Sequence, residues 1–255
     1  MVSSVSFRTP AMAAQFPDLL AAESTRHGGV SPAPFASLNL GLNTADNPAH
    51  VEINRTRFFQ SFGIAPDRVA SSHQVHGDEV LIATGPGRYS GYDALVTNER
   101  DLYLTVTVAD CTPILLFDPV QKAVGAVHAG WRGTAADIAL KTLRTMQEAF
   151  GTRPADCLAY IGTCIDECSF EVGPEVAEAF TEEHRRFDAA KNRFYVDLKA
   201  ANRAQLIAGG LPEARIEVSP FSTVLHNAEY FSYRLEGGQT GRMLALIGLR
   251  SIPVP

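Results

Sequence analysis

Between Val69 and Val127 the apolar positions come in short runs: EVLIAT, YDALVT, LYLTVTVA, ILLFD and AVGAVH. Runs of this length, rich in Val, Ile, Leu, Tyr and Phe and separated by turn residues, predict β-strands. The repeat then changes. From Thr134 to Phe150 the apolar spacing is helical, with Ile138, Thr142 and Met146 on one face. Asp137 and Lys141 stand four apart there, as for an intrahelical pair, and Gly151 follows as a stop. A second helix is predicted from Asn47, as N-cap with Pro48 at the first helical position, running towards Phe62 and ended by Gly63. Further on, CLAYIG predicts a strand, GPEVAEAFTEEH a helix starting at its Pro, and VDLKAANRAQLIAGG a helix capped by Asp197 and ended by Gly209-Gly210. The last apolar run, MLALIGL, predicts a buried strand. By contrast, Thr25 to Pro48 is rich in Gly, Pro, Ser and Asn without a period, and predicts a long ordered loop.

Strands and helices are thus mixed without a regular βαβα alternation. The expected fold class is α+β, with mixed β-sheets in a central layer flanked by helices. No linker, charge block or repeat divides the chain, so residues 1–255 are expected to form one domain. Neither G-x-G-x-x-G nor G-x-x-x-x-G-K-[ST] occurs, which sets aside dinucleotide and P-loop readings.

Composition narrows the partners. The chain has 255 residues, 45% of them hydrophobic and 20% charged, enough for a sizeable core. Its formal charge of −6 argues against nucleic acid as the main partner. No run of about eighteen apolar residues occurs, and the first residues lack a basic segment followed by a long apolar one. A soluble cytoplasmic protein is expected, with no membrane partner. The four cysteines, Cys111, Cys157, Cys164 and Cys168, form no C-x-x-C pair and suit reduced thiols in a cytoplasm.

The candidate chemistry sits where strands end. Cys111 lies at a break between two apolar runs, next to Asp110 and Thr112-Pro113, and His128 closes a third run before Ala129-Gly130. A further imidazole comes from HQVHGD, where spacing alone allows either His73 or His76. Two imidazoles and a thiolate suit zinc, and copper less specifically, and three protein ligands leave one tetrahedral position open, as in catalytic sites. Against this stands the ordinary fate of a Cys or a lone His, which is burial in a core. Cys164 and Cys168, four apart, are either a source of a further ligand or plain thiols of one strand-to-loop segment.

Nine short motifs occur in order along nearly the whole chain: TRHGGVS from Thr25, LNLG from Leu38, QVHG from Gln74, DALVT from Asp93, ADCTP from Ala109, HAGWRG from His128, FEVG from Phe170, FSYR from Phe231 and TGR from Thr240. In this order they resemble the laccase-domain, or multicopper polyphenol oxidase, family, also named for peptidoglycan editing factor and for purine nucleoside phosphorylase. The resemblance implies that His76, Cys111 and His128 bind one zinc, with His73 outside the motif. It also implies phosphorolysis of adenosine, inosine, guanosine or methylthioadenosine to base and ribose 1-phosphate, with adenosine deamination in the same pocket. The partners are then a purine nucleoside and phosphate. Two positions depart from the family pattern: Thr163 stands where a Pro usually follows the strand-ending Gly, and Ser222-Thr223 where Cys-Thr often precedes FSYR.

On this reading Asp110, Cys111 and His128 are the catalytic candidates, with Asp110 either carrying a proton to the base or orienting a ligand. Arg132, at the start of the helix expected from Thr134, is a candidate for the anion. Arg26, Asn39 and Gln74 are candidates for the ribose or base, and Arg234 and Arg242 either complete the anion site or pair with acids. Trp131 stacks on a base or anchors packing. Two other activities compete. Cys111 as nucleophile with His128 as base would make a hydrolase of peptidoglycan precursors, but would leave His76 without a task. A copper polyphenol oxidase needs a trinuclear cluster and a blue-copper site, which seven His without an H-x-H motif do not supply.

Overall fold

A computed structural model describes residues 4–251. Two mixed six-stranded sheets face each other. In one, the strands run in the order Phe7–Arg8, Leu19–Ser24, Met243–Leu249, Tyr103–Val108, Val69–His73, Gly87–Ser90. In the other the order is Ile216–Val218, Leu158–Ile161, Thr112–Asp118, Ala123–Ala129, Ala94–Thr97, Val80–Ile82. A small three-stranded sheet, from Glu171–Val172, Arg193–Val196 and Arg185–Asp188, stands apart. The fold class is α+β, as expected.

The layering explains the continuous apolar runs. Leu104, Val106, Ala245 and Ile247 of the first sheet pack on Leu115, Phe117 and Val124 of the second. Alternate residues of the same strands face outwards and are buried as well. Leu244 and Leu246 meet Phe58 and Phe59 of the helix Pro48–Gln60. Ile114, Leu116 and Val127 meet Ile138, Leu143 and Met146 of the helix Ile138–Phe150. A strand covered on both faces cannot alternate apolar with polar. Each such side chain contributes roughly 1.5–3 kcal/mol by burial.

The helix Pro48–Gln60 is capped by Asn47, whose side chain accepts from Ala49 N. Its buried Asn54 orders the preceding loop: Oδ1 accepts from Val30 N, and Nδ2 donates to Ser31 Oγ and to the carbonyls of Ser37 and Asn39. Likewise the helix Leu198–Ala208 is capped by Asp197, which accepts from Ala200 N, and Gly209 follows it.

Two helices depart from expectation. The segment expected from Thr134 to Phe150 divides into a short helix, Trp131–Ala135, and the helix Ile138–Phe150, because Asp137 takes a left-handed conformation (φ 61°). The helix Leu198–Ala208 holds the short piece separately, through Asn202 to Thr134 Oγ1 and Gln205 to the Thr134 carbonyl. In consequence Asp137 does not pair with Lys141, whose ammonium reaches Asp78 instead. The segment after Gly173 holds only the helix Pro174–Ala177 and a 3₁₀ turn, Glu182–His184, since the chain must return for the strand Arg185–Asp188.

Candidate metal centre

The chain passes between the two sheets three times near one end, and two of these passages each present a candidate ligand. Strand Tyr103–Val108 leaves the first sheet, turns at Asp110 in a left-handed conformation (φ 85°), and enters the second as Thr112–Asp118. Cys111 lies on this corner. Strand Val69–His73 leaves the first sheet and reaches the second at Val80–Ile82. His76, also left-handed (φ 59°), lies on that passage. His128 comes from within the second sheet, where Pro113 pairs with His128 and Thr112 with Ala129, so the strand register sets Cys111 beside His128.

One ligand atom from each of His76, Cys111 and His128 lies within 4.8 Å of the others. The two imidazole rings meet edge to face at 4.8 Å between centroids. Gly130 leaves room for this approach: a Cβ there would lie 3.2 Å from both Cys111 Sγ and His76 Cδ2, tighter than ordinary contact. His73 lines the same cleft but stands outside the trio. Cys164 is buried with its thiol directed to the Ile165 carbonyl, and Cys168 is exposed beside Asp166, so neither joins it.

The organising residue is Asp93, to which no role was assigned from sequence. It is fully buried, and its carboxylate accepts from the backbone N–H groups of Val75, His76 and Gly77 at 3.1, 3.0 and 2.8 Å. Oδ1 also lies 2.7 Å from His128 Nδ1. With Nδ1–H donating to the carboxylate, the Nε2 lone pair of His128 is directed away from it, as metal-binding imidazoles require. Burial opposes ionisation of Asp93, but His128 and the backbone donors outweigh it and hold the carboxyl below its usual range. The same balance operates at Cys111: burial works against the thiolate, yet His128 and His76 bring the thiol down to about 6. Burial works against charge on His128, and Cys111 and Asp93 together raise it. A thiolate, an oriented imidazole and a second imidazole form a donor set that fits zinc, with room for a fourth ligand.

The remaining candidates divide into those that face the cleft and those that build it. The trio lines a cleft of about 720 Å³, together with Gln74, Asp110, Trp131, Arg132, Arg234 and Arg242 among others. Gln74 is committed to Thr107, accepting from its N–H at 2.8 Å and donating to its carbonyl at 2.9 Å. This extends the pairing of strand Val69–His73 while the next residues loop out. Asp110 accepts from the Thr223 hydroxyl at 2.5 Å and from Arg234 N at 2.6 Å, so its carboxylate fastens the segment 223–234 to the Cys111 corner. Arg132 is exposed, lies over the Trp131 ring and belongs to the short helix, not to one starting at Thr134. Arg234 lines the cleft with its guanidinium bonded to the Glu171 carbonyl.

Arg26 and Asn39 do not line the cleft. Arg26 is spent on Glu236, on the carbonyls of Ala36 and Asn227, and on the Phe231 ring. Asn39 is fully buried, donates to Thr44 and Asp46, and accepts from Gly41 N and Arg242 N. Two side chains unremarked in the sequence, Arg55 and Arg88, do line it. Arg55 sits on the helix Pro48–Gln60 next to buried Asn54.

Residues 20–250 match the family described as multi-copper polyphenol oxidoreductase laccase. Among relatives, a protein named purine nucleoside phosphorylase from Deinococcus radiodurans is 40% identical over 228 residues, covering 89% of this chain and 87% of its own. Another of that name from Bacteroides thetaiotaomicron is 36% identical over 240 residues, covering 87% and 88%. The crystal structure of YlmD from Geobacillus stearothermophilus superimposes with a TM-score of 0.90 at 35% identity, over 97% of this chain and all of that one. The two-sheet frame, the nine motifs and these matches agree: the chain belongs to the multi-copper polyphenol oxidoreductase laccase family.

Proposed function

We propose that the protein is a zinc-dependent purine nucleoside phosphorylase, acting on adenosine, inosine, guanosine or methylthioadenosine, with adenosine deaminase activity in the same cleft. The observation that carries this reading is the joining, in one cleft, of the His76, Cys111 and His128 trio with aromatic walls and five arginines. Relatives that carry the phosphorylase name align with most of this chain. A nucleoside fits a volume of about 720 Å³.

In phosphorolysis the C1′–N bond of the nucleoside breaks, its electron pair stays with the purine, and a phosphate oxygen bonds to C1′. Trp131, Phe170 and Tyr233 present apolar surface to a base. Asp110, which ties the backbone of Arg234 and the Thr223 hydroxyl to the Cys111 corner, positions these groups around the cleft. Asp93 holds His128 in the tautomer that leaves Nε2 free. When bound, zinc supplies Lewis acidity to an oxygen or nitrogen of the substrate. Among the described residues one trio of ligating side chains comes together, which supports a single zinc over the several coppers of an oxidase. Four free thiols and the lack, among the described residues, of a helix long and apolar enough to cross a membrane favour a cytoplasmic setting.

The test is elemental analysis of protein purified without a chelating tag, with phosphate-dependent release of hypoxanthine from inosine assayed on the same samples. About one zinc per chain, with metal and base release both lost in Cys111→Ala, is the expected result. A metal-free protein that releases no base overturns the reading and moves the Cys111 and His128 hydrolase to first place, because a free thiolate beside an imidazole is an activated nucleophile.

A further inference from the structure

Arginines that line a cleft are ordinarily paired with acids, and here they are not. Arg55, Arg88 and Arg242 come from three elements: the helix Pro48–Gln60, the edge strand Gly87–Ser90, and the turn before strand Met243–Leu249. All three line the cleft, and among the described residues none of them makes an ion pair with a carboxylate. The one acid in the cleft wall, Asp110, already accepts from Thr223 and Arg234 N. Each guanidinium is steadied by neutral oxygens: Arg55 by the Leu40 carbonyl, Arg88 by Asn43 Oδ1, and Arg242 by the carbonyls of Thr240 and Gly241. Since a guanidinium carries five N–H donors, most of each fork remains free for a ligand.

The protein spends structure on keeping these charges together. Burial lowers the Arg55 pKa to about 10, and the like charge of Arg88 adds to the effect. The stem of Arg242 runs against Gly41 so closely that a Cβ there would lie 2.6 Å from Arg242 Cγ. Asn39 accepts from both Gly41 N and Arg242 N, so the loop pins the arginine from either side. The same loop gathers all three arginines, since Leu40 holds Arg55, Gly41 lies against Arg242 and Asn43 holds Arg88, and Arg242 lines the cleft together with the metal trio. Repulsion held in place by a buried polar network, in a chain of net charge −6, points to an anion as the missing partner.

We infer that Arg55, Arg88 and Arg242 form a subsite for a phosphate oxyanion on the first-sheet side of the cleft, separate from Arg132, and that its occupant is inorganic phosphate. The choice of inorganic phosphate over the 5′-phosphate of a nucleotide rests on the phosphorylase reading; the oxyanion subsite itself does not. Bidentate forks recognise phosphate oxygens, and Arg242 would turn the bound anion towards a nucleoside lying at the trio.

The test is calorimetric titration of inorganic phosphate into the full-length protein, as wild type, Arg88→Glu and Arg55→Met/Arg88→Met, with a thermal melt of each. Arg88 is exposed on an edge strand, so its charge reversal leaves the fold intact even if the double variant does not fold. Phosphate binding is expected to weaken at least about tenfold in both variants, and the KM for phosphate to rise in step while the KM for inosine holds. Folded Arg88→Glu that binds phosphate as the wild type does would overturn the subsite. A nucleoside 5′-monophosphate that binds these arginines while inorganic phosphate does not would overturn the assigned occupant. Wild type that binds phosphate through Arg88 yet releases no base would instead sink the phosphorylase reading and leave the oxyanion subsite standing.

Discussion

Asp93 Oδ1 lies 2.7 Å from His128 Nδ1, and the same carboxylate receives the N–H groups that shape the turn carrying His76. One buried acid therefore fixes the orientation of one candidate ligand and the backbone of another. Asp93→Asn keeps the volume but places an amide N–H₂ where only acceptors are wanted. Zinc affinity is expected to fall about 10–100-fold, measured by competition with a chromophoric chelator. Unchanged affinity would reduce Asp93 to a structural acid of the turn.

Asn54 does comparable work for the long loop. Its amide serves Val30 N, Ser31 Oγ and the carbonyls of Ser37 and Asn39, of which the bonds to Ser31 and Asn39 are buried and the other two half-buried. Asn54→Ala strands the buried Asn39 carbonyl and the half-buried Val30 N–H, at roughly 1–3 kcal/mol per unsatisfied buried group. A loss of about 3 kcal/mol in urea unfolding is expected. A loss below ~1 kcal/mol would mean that water replaces the amide.

Which parts of this architecture were legible in sequence follows from the range of the interaction concerned. The strands around Cys111 and His128 were legible because burial on both faces leaves long apolar runs such as ILLFD and MLALIGL. The caps at Asn47 and Asp197 were legible because capping acts within one turn. The break at Asp137 was not, since it comes from Asn202 and Gln205 about seventy residues away. For the site, Cys111 and His128 could be read from strand ends, but the choice of His76 over His73 needed the family resemblance. Arg26 and Asn39, candidates for the ribose or base on sequence, are bonded within their own surroundings, because loop polarity does not reveal whether a side chain faces a cleft or its own backbone. Arg55 and Arg88 carry no sequence signal, because their unpaired charge exists only after folding.

Gly130 offers a probe of the trio that leaves its donors untouched. Its added Cβ would stand 3.2 Å from Cys111 Sγ and from His76 Cδ2, while its φ of −71° suits any residue. Gly130→Ala is therefore expected to displace the two ligands by a few tenths of an ångström without backbone strain. Metal affinity falls, while the melting temperature of the metal-free protein shifts by no more than about 2 °C. A metal-free protein that melts much lower would show that Gly130 serves the fold first.

Asp18 gives a pH dependence with a definite sign. It is buried, and its Oδ2 lies 3.2 Å from both Arg100 Nη2 and Lys122 Nζ. Burial acts to raise its pKa, but the hydrogen bonds and charges of Lys122 and Arg100 outweigh that and hold it below the ordinary 3.8. An acid whose folded pKa lies below its unfolded one stabilises the protein above the unfolded value, and that stabilisation is lost as pH falls through the folded value. Asp18→Asn should therefore melt lower than wild type at pH 7, with the two curves converging as pH drops from about 4 towards 2. Melting temperatures of both proteins across pH 2–7 provide the measurement. A gap that stays constant down to pH 2 would mean that Asp18 acts through hydrogen bonds an amide cannot make, not through its charge.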